Sequence, residues 1–239
     1  VVDKLELKGQ KENTIYGLKM EYGILSTLTS PKWPLSPMDI SITNSSFEGF
    51  YKNGVLIQHI KEGNITVGTK NNGNVFTNNA IGTGMQTASL GIWSNVSVKV
   101  LVQGNTINAS SSPTYGIELY SSPQPAFLEQ VPQTLQSLCI FEQNTFNISG
   151  SAAGMLTNDR RRYFFPDEIP MLVELKNNLF NMTDQCFGFI CQNTYGTIVR
   201  NNKFVGSANC GVYAASPSPP NDNGLMLGNN FSNATFTSA

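Results

Sequence analysis

The sequence predicts an all-β chain, a right-handed parallel β-helix solenoid of about eight coils. Three observations predict it. One strand–turn–strand unit recurs along nearly all of the 239 residues. An aromatic or aliphatic residue returns at one position of the unit with spacings of 29, 31, 39, 34, 24 and 27 residues. No helical periodicity intervenes between the copies.

The unit has the form Φ-x-Φ-x-x-Asn-x-Phe, where Φ is apolar. It is clearest in Ile140 to Phe146, Val173 to Phe180, Ile198 to Phe204 and Leu225 to Phe231. Earlier copies are Ile40 to Phe47 and Val100 to Ile107, and Asn74-Val75-Phe76 is a less regular one. The Φ-x-Φ part reads as a short strand with alternate residues inward. The Asn turns the chain and the Phe points back inside. A second element, Gly-Φ-x-Φ, follows several residues later. It appears at Gly54-Val55-Leu56-Ile57, Gly91-Ile92-Trp93, Gly116-Ile117-Glu118-Leu119, Gly154-Met155-Leu156, Gly188-Phe189-Ile190-Cys191 and Gly211-Val212-Tyr213, with Gly17-Leu18-Lys19-Met20 as a first copy. Fixed core strands with loops of variable length fit a solenoid rather than a strict repeat. Neighbouring coils then pair like a parallel sheet, about 4.8 Å apart.

Stacking turns each repeated position into a ladder. The inward ladder is Phe47, Phe76, Ile107, Phe146, Phe180, Phe204 and Phe231. The turn ladder is Asn74, Asn105, Asn144, Asn178, Asn202 and Asn229. Both are read as structural, the first by apolar burial and the second by satisfying buried turn groups.

The Gly-Φ-x-Φ and Asn-Asn-x-Phe strings resemble the pectin-lyase-like right-handed parallel β-helix repeat family over residues 5 to 235. The resemblance implies the fold, and it says little of activity, because that superfamily holds lyases, hydrolases, epimerases and noncatalytic surface proteins. Catalysis there uses clustered carboxylates, or calcium with a basic residue. The Asn-Thr-Asp, Asp-Asp, Gly-His-Gly and Arg-Ile-Lys strings of its polygalacturonase-like members are absent, and the single histidine, His59, lacks flanking glycines. The six aspartates, Asp3, Asp39, Asp159, Asp167, Asp184 and Asp222, occupy different coil positions. No catalytic residue is therefore assigned, and no metal or other cofactor is expected.

Bulk properties narrow the classes further. Charged residues are 13% of the chain, about half of the usual share of roughly 25%. The net charge is −1, which gives no general drive toward nucleic acid or anionic membranes. No run of about 20 apolar residues is present, so no membrane-inserting segment is expected. The basic run Arg160-Arg161-Arg162 sits among Asp159, Asp167 and Glu168, which reads as a salt-bridged loop. The four cysteines, Cys139, Cys186, Cys191 and Cys210, lack zinc-pair spacing. Cys186 and Cys210 each fall six residues after a ladder Phe, which makes them a candidate disulfide, although counting from the following Gly shifts the register by one.

Eight Asn-x-Ser/Thr sequons begin at Asn44, Asn64, Asn95, Asn108, Asn147, Asn181, Asn230 and Asn233, all candidate glycosylation sites. Asn108, Asn147 and Asn181 each follow an inward ladder residue, so alternation predicts one outward row. The long segments 120–137, 157–170 and 214–223 leave one corner of the rod and bring aromatics, carboxylates and arginines together. Phe127, Asp159, Arg161, Tyr163, Phe165, Asp167 and Glu168 are the candidate ligand-binding residues on that loop face. The loop Ser30-Pro31-Lys32-Trp33-Pro34 offers a further aromatic.

The chain reads as a single β-helix domain over 1–239, and both ends read as stopping within a coil, so it is expected to be a segment of a longer rod or a unit that stacks end to end. The expected function is that of a secreted or cell-surface, noncatalytic, N-glycosylated structural rod or glycan- and protein-binding module. The alternative is a polysaccharide lyase or glycoside hydrolase on an extracellular polysaccharide. Polysaccharides or glycoproteins are the expected partners, with no nucleic acid.

Overall fold

The structure, a computed structural model, describes residues 1–11, 16–21, 39–58, 63–80, 88–93, 98–110, 115–121, 138–159, 171–192, 196–215 and 224–237. Among these residues there are 23 strands and no helix. Every third strand joins the same sheet, and each sheet contact is parallel. The result is three sheets of 8, 8 and 7 strands that wind through the chain as a parallel β-helix of roughly eight coils. One complete coil runs through Leu138–Glu142 in the first sheet, Thr145–Ile148 in the second and Ala153–Asp159 in the third. The next coil repeats this with Leu172–Lys176, Leu179–Met182 and Phe187–Gln192.

The turn from first to second sheet is two residues long, and the first of them is left-handed. Gln143, Asn177 and Asn201 all have φ near 55°, and glycine serves at Gly104 with φ 70°. A Cβ at Gly104 would lie 2.3 Å from the Thr69 carbonyl oxygen, so glycine is required there by contact as well as by conformation. The ladder asparagine follows each of these residues. The Nδ2 of Asn144 donates to Asn178 Oδ1 at 3.0 Å and to the Val102 carbonyl at 2.9 Å. Its own Oδ1 accepts from the Asn105 backbone N and side-chain Nδ2, each at 3.0 Å. The same pattern continues through Asn74, Asn105, Asn178, Asn202 and Asn229. Ser45 begins the ladder by donating its backbone N to Asn74 Oδ1. Each buried amide in mid-ladder thus has both protons and its oxygen satisfied, which is why asparagine can be buried here.

Two residues on, the Phe ladder fills the rod. Phe146 and Phe180 stack with centroids 4.5 Å apart, Phe180 and Phe204 at 4.7 Å, and Phe204 and Phe231 at 4.6 Å. Phe47 and Phe76 stack at 5.3 Å, with Ile107 between Phe76 and Phe146 in register. The predicted ladder is therefore continuous.

The glycine of Gly-Φ-x-Φ is the second residue of the third-sheet strands at Gly17, Gly54, Gly116, Gly154, Gly188 and Gly211, whereas the expected copy at Gly91 is out of register: Gly91 pairs with Leu56 and Glu118, two residues further along. At Gly154 a Cβ would meet the Gly188 carbonyl oxygen at 2.6 Å and the Phe180 ring at 3.0 Å. Any side chain there would push the coil off the Phe ladder. The first and second sheets alternate between buried and partly exposed residues, as in Leu172–Lys176. Three strands of the third sheet are different. Asn53–Gln58, Ala88–Trp93 and Ala153–Asp159 are buried at every position, on both faces.

Candidate functional site on the outer face of the second sheet

Asn108, Asn147 and Asn181 are register partners on adjacent strands. They form the single outward row that alternation predicts. Their amides bond to one another along the rod. Asn181 Nδ2 donates to Asn147 Oδ1 at 2.8 Å, Asn147 Nδ2 to Asn108 Oδ1 at 2.7 Å, and Asn108 Nδ2 to Thr77 Oγ1 at 3.1 Å. Two residues further along the chain in each coil stand Ser110, Ser149 and Thr183. Ser110 donates to Asn78 Oδ1 at 2.8 Å. Together these residues line an open groove of about 500 Å³ that extends to Val205 and Gly206. The Asn side chains are half-buried in it, and Thr183 is exposed at its rim.

The first sheet carries a different device on its outer face. Gln103, Glu142, Lys176 and Arg200 are successive register partners. Gln103 Nε2 donates to Glu142 Oε1 at 2.7 Å, Lys176 bridges Glu142 at 3.0 Å and Glu174 at 3.4 Å, and Arg200 Nε meets Glu174 Oε1 at 2.6 Å. Partial burial alone would raise the Glu174 carboxyl. The Arg200 hydrogen bond and the Lys176 charge outweigh it and hold that carboxyl below its ordinary range. The Glu142 hydrogen bond leads the effects that hold Lys176 above its own. A general acid needs a carboxyl raised toward neutrality, and a base of this kind a lowered amine. The network supplies neither and reads as a coil-to-coil clamp.

One carboxyl does have the raised character. Glu118 lies on the outer face of the third sheet, between Gly91 and Leu156 in register, and is 4% exposed. Burial pushes its pKa up to about 7, and the neighbouring Trp93 indole N–H offsets only part of this. Neither Glu118 Oε2 nor Trp93 Nε1 reaches hydrogen-bonding geometry with any partner. Sequence reasoning missed Glu118 because it sits in Gly116-Ile117-Glu118-Leu119, where period-2 alternation reads it as the solvent-facing residue of a half-buried strand. The one signal available was the Trp at the outward position of the preceding copy.

Of the residues expected on the loop face, Phe127, Arg161, Tyr163, Phe165, Asp167 and Glu168 lie outside the described residues, as do His59, Trp33 and Asn95. Asp159 is described and is 1% exposed, with Oδ2 accepting the Met171 backbone N at 3.2 Å. It ties the last residue of a third-sheet strand to the start of the next coil. Of the sequon residues, Asn44, Asn64, Asn230 and Asn233 are exposed. The Nδ2 of Asn44 donates to Asp3 and that of Asn64 to Asp39, holding both carboxyls below the ordinary range.

The expected Cys186–Cys210 disulfide is corrected. Cys210 pairs with Phe187, and Cys186 lies one position away, opposite Asn209, whose N donates to the Cys186 carbonyl. A one-residue offset on a strand turns the two side chains to opposite faces. All four cysteines are free, and burial pushes the Cys186 and Cys210 thiols up. The register follows the glycine of Gly-Φ-x-Φ rather than the Phe ladder.

Among the described residues no group of three or more metal-ligating side chains gathers, and no helix is long and apolar enough to cross a membrane. The chain matched no protein-family model, no curated protein and no solved structure.

Proposed function

We propose that this chain is a secreted or cell-surface β-helix of the pectin-lyase-like kind that works without catalysis, as a structural rod that presents a glycan- or protein-binding face. The observation that carries the reading is how the outward polar side chains are used. The first-sheet carboxylates Glu142 and Glu174 are ion-paired, and amides of the second sheet are linked in a row. These arrangements strengthen the contact between coils and leave a neutral, grooved surface. The geometry favours N-glycans at the exposed Asn44, Asn64, Asn230 and Asn233.

A panel of plant, algal and microbial polysaccharides tests the reading. Retention in affinity electrophoresis, with no new reducing ends and no unsaturated products after long incubation, is the expected result. Turnover of any member would overturn it. That outcome would favour the second reading, a polysaccharide lyase or glycoside hydrolase, for which Glu118 has the protonation behaviour of a general acid. Its register neighbours Gly91 and Leu156 supply no second carboxylate for the pair that glycoside hydrolysis needs.

A further inference from the structure

We propose that the groove over Asn108, Asn147 and Asn181 binds one strand of a neutral linear polysaccharide, laid along the rod axis. The inference rests on the glycan-binding reading above and names both the site and the ligand class.

The first support is hydrogen-bonding capacity. A side-chain amide has two protons and two lone pairs on its oxygen. In the row each amide donates one proton to its neighbour, and the oxygens of Asn108 and Asn147 accept one. One N–H per residue and further acceptor capacity remain uncommitted on the open side. The hydroxyls of Ser110, Ser149 and Thr183 flank the amides in the same groove. Polyol ligands are recognised by such convergent, fixed polar groups on an otherwise apolar surface.

Periodicity is the second support. The row repeats at the strand spacing of about 4.8 Å, so three amides offer the same contact three times over about 10 Å. Side chains locked by their mutual bonds hold this repeat with little rotamer freedom to lose on binding. A ligand that repeats its own hydroxyls along a chain can use all three.

Charge selects the class. Among the described residues, no Lys, Arg, Asp or Glu lines the groove. A polyuronate would bring carboxylates into a cleft with no cation to pair them, which costs binding free energy. Neutral sugars bring none. The same logic requires these amides to be unmodified, because an N-glycan on Asn147 would fill the groove.

The test uses the full chain made in a host that does not N-glycosylate. Isothermal titration is run with oligosaccharides of mannan, xylan and β-glucan, and with polygalacturonate and alginate fragments. Asn147→Ala removes the centre of the row. Thr183→Trp blocks the exposed rim without touching an amide, and guards against an effect of Asn147→Ala on folding. The expected result is binding to at least one neutral glycan, weakened at least tenfold by both variants, with no binding of the acidic fragments. Neutral-glycan binding that neither variant weakens would refute this groove and leave the glycan-binding reading standing. Equal binding of acidic fragments would refute the charge argument. Absence of binding to every glycan would sink both.

Discussion

Replacing Glu118 with glutamine should stabilise this protein at alkaline pH and leave it nearly unchanged in acid. The substitution keeps the shape of the side chain and removes its charge. In the fold the carboxyl titrates at about 7 instead of its ordinary 4.5, because burial disfavours the anion. The folded state therefore holds its proton more tightly than the unfolded chain. Stability is fully present below about 4.5, falls as pH rises toward 7, and is then lower by a constant amount of about 3 kcal/mol. Glu118→Gln removes that loss. At pH 8 the variant should gain about 3 kcal/mol, or roughly 6–12 °C in melting temperature for a chain of this size. The gain should fade toward zero as the pH approaches 4. Urea denaturation of both proteins from pH 4 to pH 8 measures it. An equal shift at both ends of the range would refute the reasoning, because the gain would not follow the titration of Glu118, and so would destabilisation at pH 8, which would mean that the buried carboxylate is stabilised by more than the Trp93 indole.

The ladders support three further predictions. Asn144→Ala leaves the Asn105 backbone N and the Val102 carbonyl buried without partners, so chemical denaturation should register a loss of about 2–4 kcal/mol, with Asn144→Asp not restoring it because the donor is missing. Phe180→Ala opens a cavity between two stacked rings at 4.5 and 4.7 Å, and should cost about 3–5 kcal/mol in the same assay, whereas Phe180→Leu should cost clearly less. In protein from a glycosylating host, peptide mapping by mass spectrometry should find Asn147 unmodified, because its register neighbours Asn108 and Asn181 stand about 4.8 Å to either side; glycans on all three would contradict the bonded row.

Much of the fold was legible because a solenoid repeats its own neighbours. Phe146, Phe180 and Phe204 recur in the sequence at the position where they meet in space, so the string itself predicts the stack. The same holds for Asn144, Asn178 and Asn202, and for the outward row of Asn108, Asn147 and Asn181. The cysteines show where this fails. Cys186 and Cys210 are equally placed after the Phe ladder, yet the path between second and third sheets differs by one residue from coil to coil, and the glycine contacts decide the register. The charged clamp was missed for a related reason. Glu142, Lys176 and Arg200 have no common residue type to reveal that they share one column.

A β-helix with a Phe spine, an Asn turn ladder and one outward row of sequon asparagines is already written in the order of the residues. Those features are periodic, and periodicity along the chain becomes adjacency across coils. It takes the folded coils to link the sequon row amide to amide within a groove, to bury Glu118 on the outer face of the third sheet, and to let Asp159 tie a strand to the next coil. Each of these depends on what covers a face or on how far one side chain reaches toward another. Alternation gives the direction of a side chain, and the medium it ends in is set by packing from elsewhere in the chain.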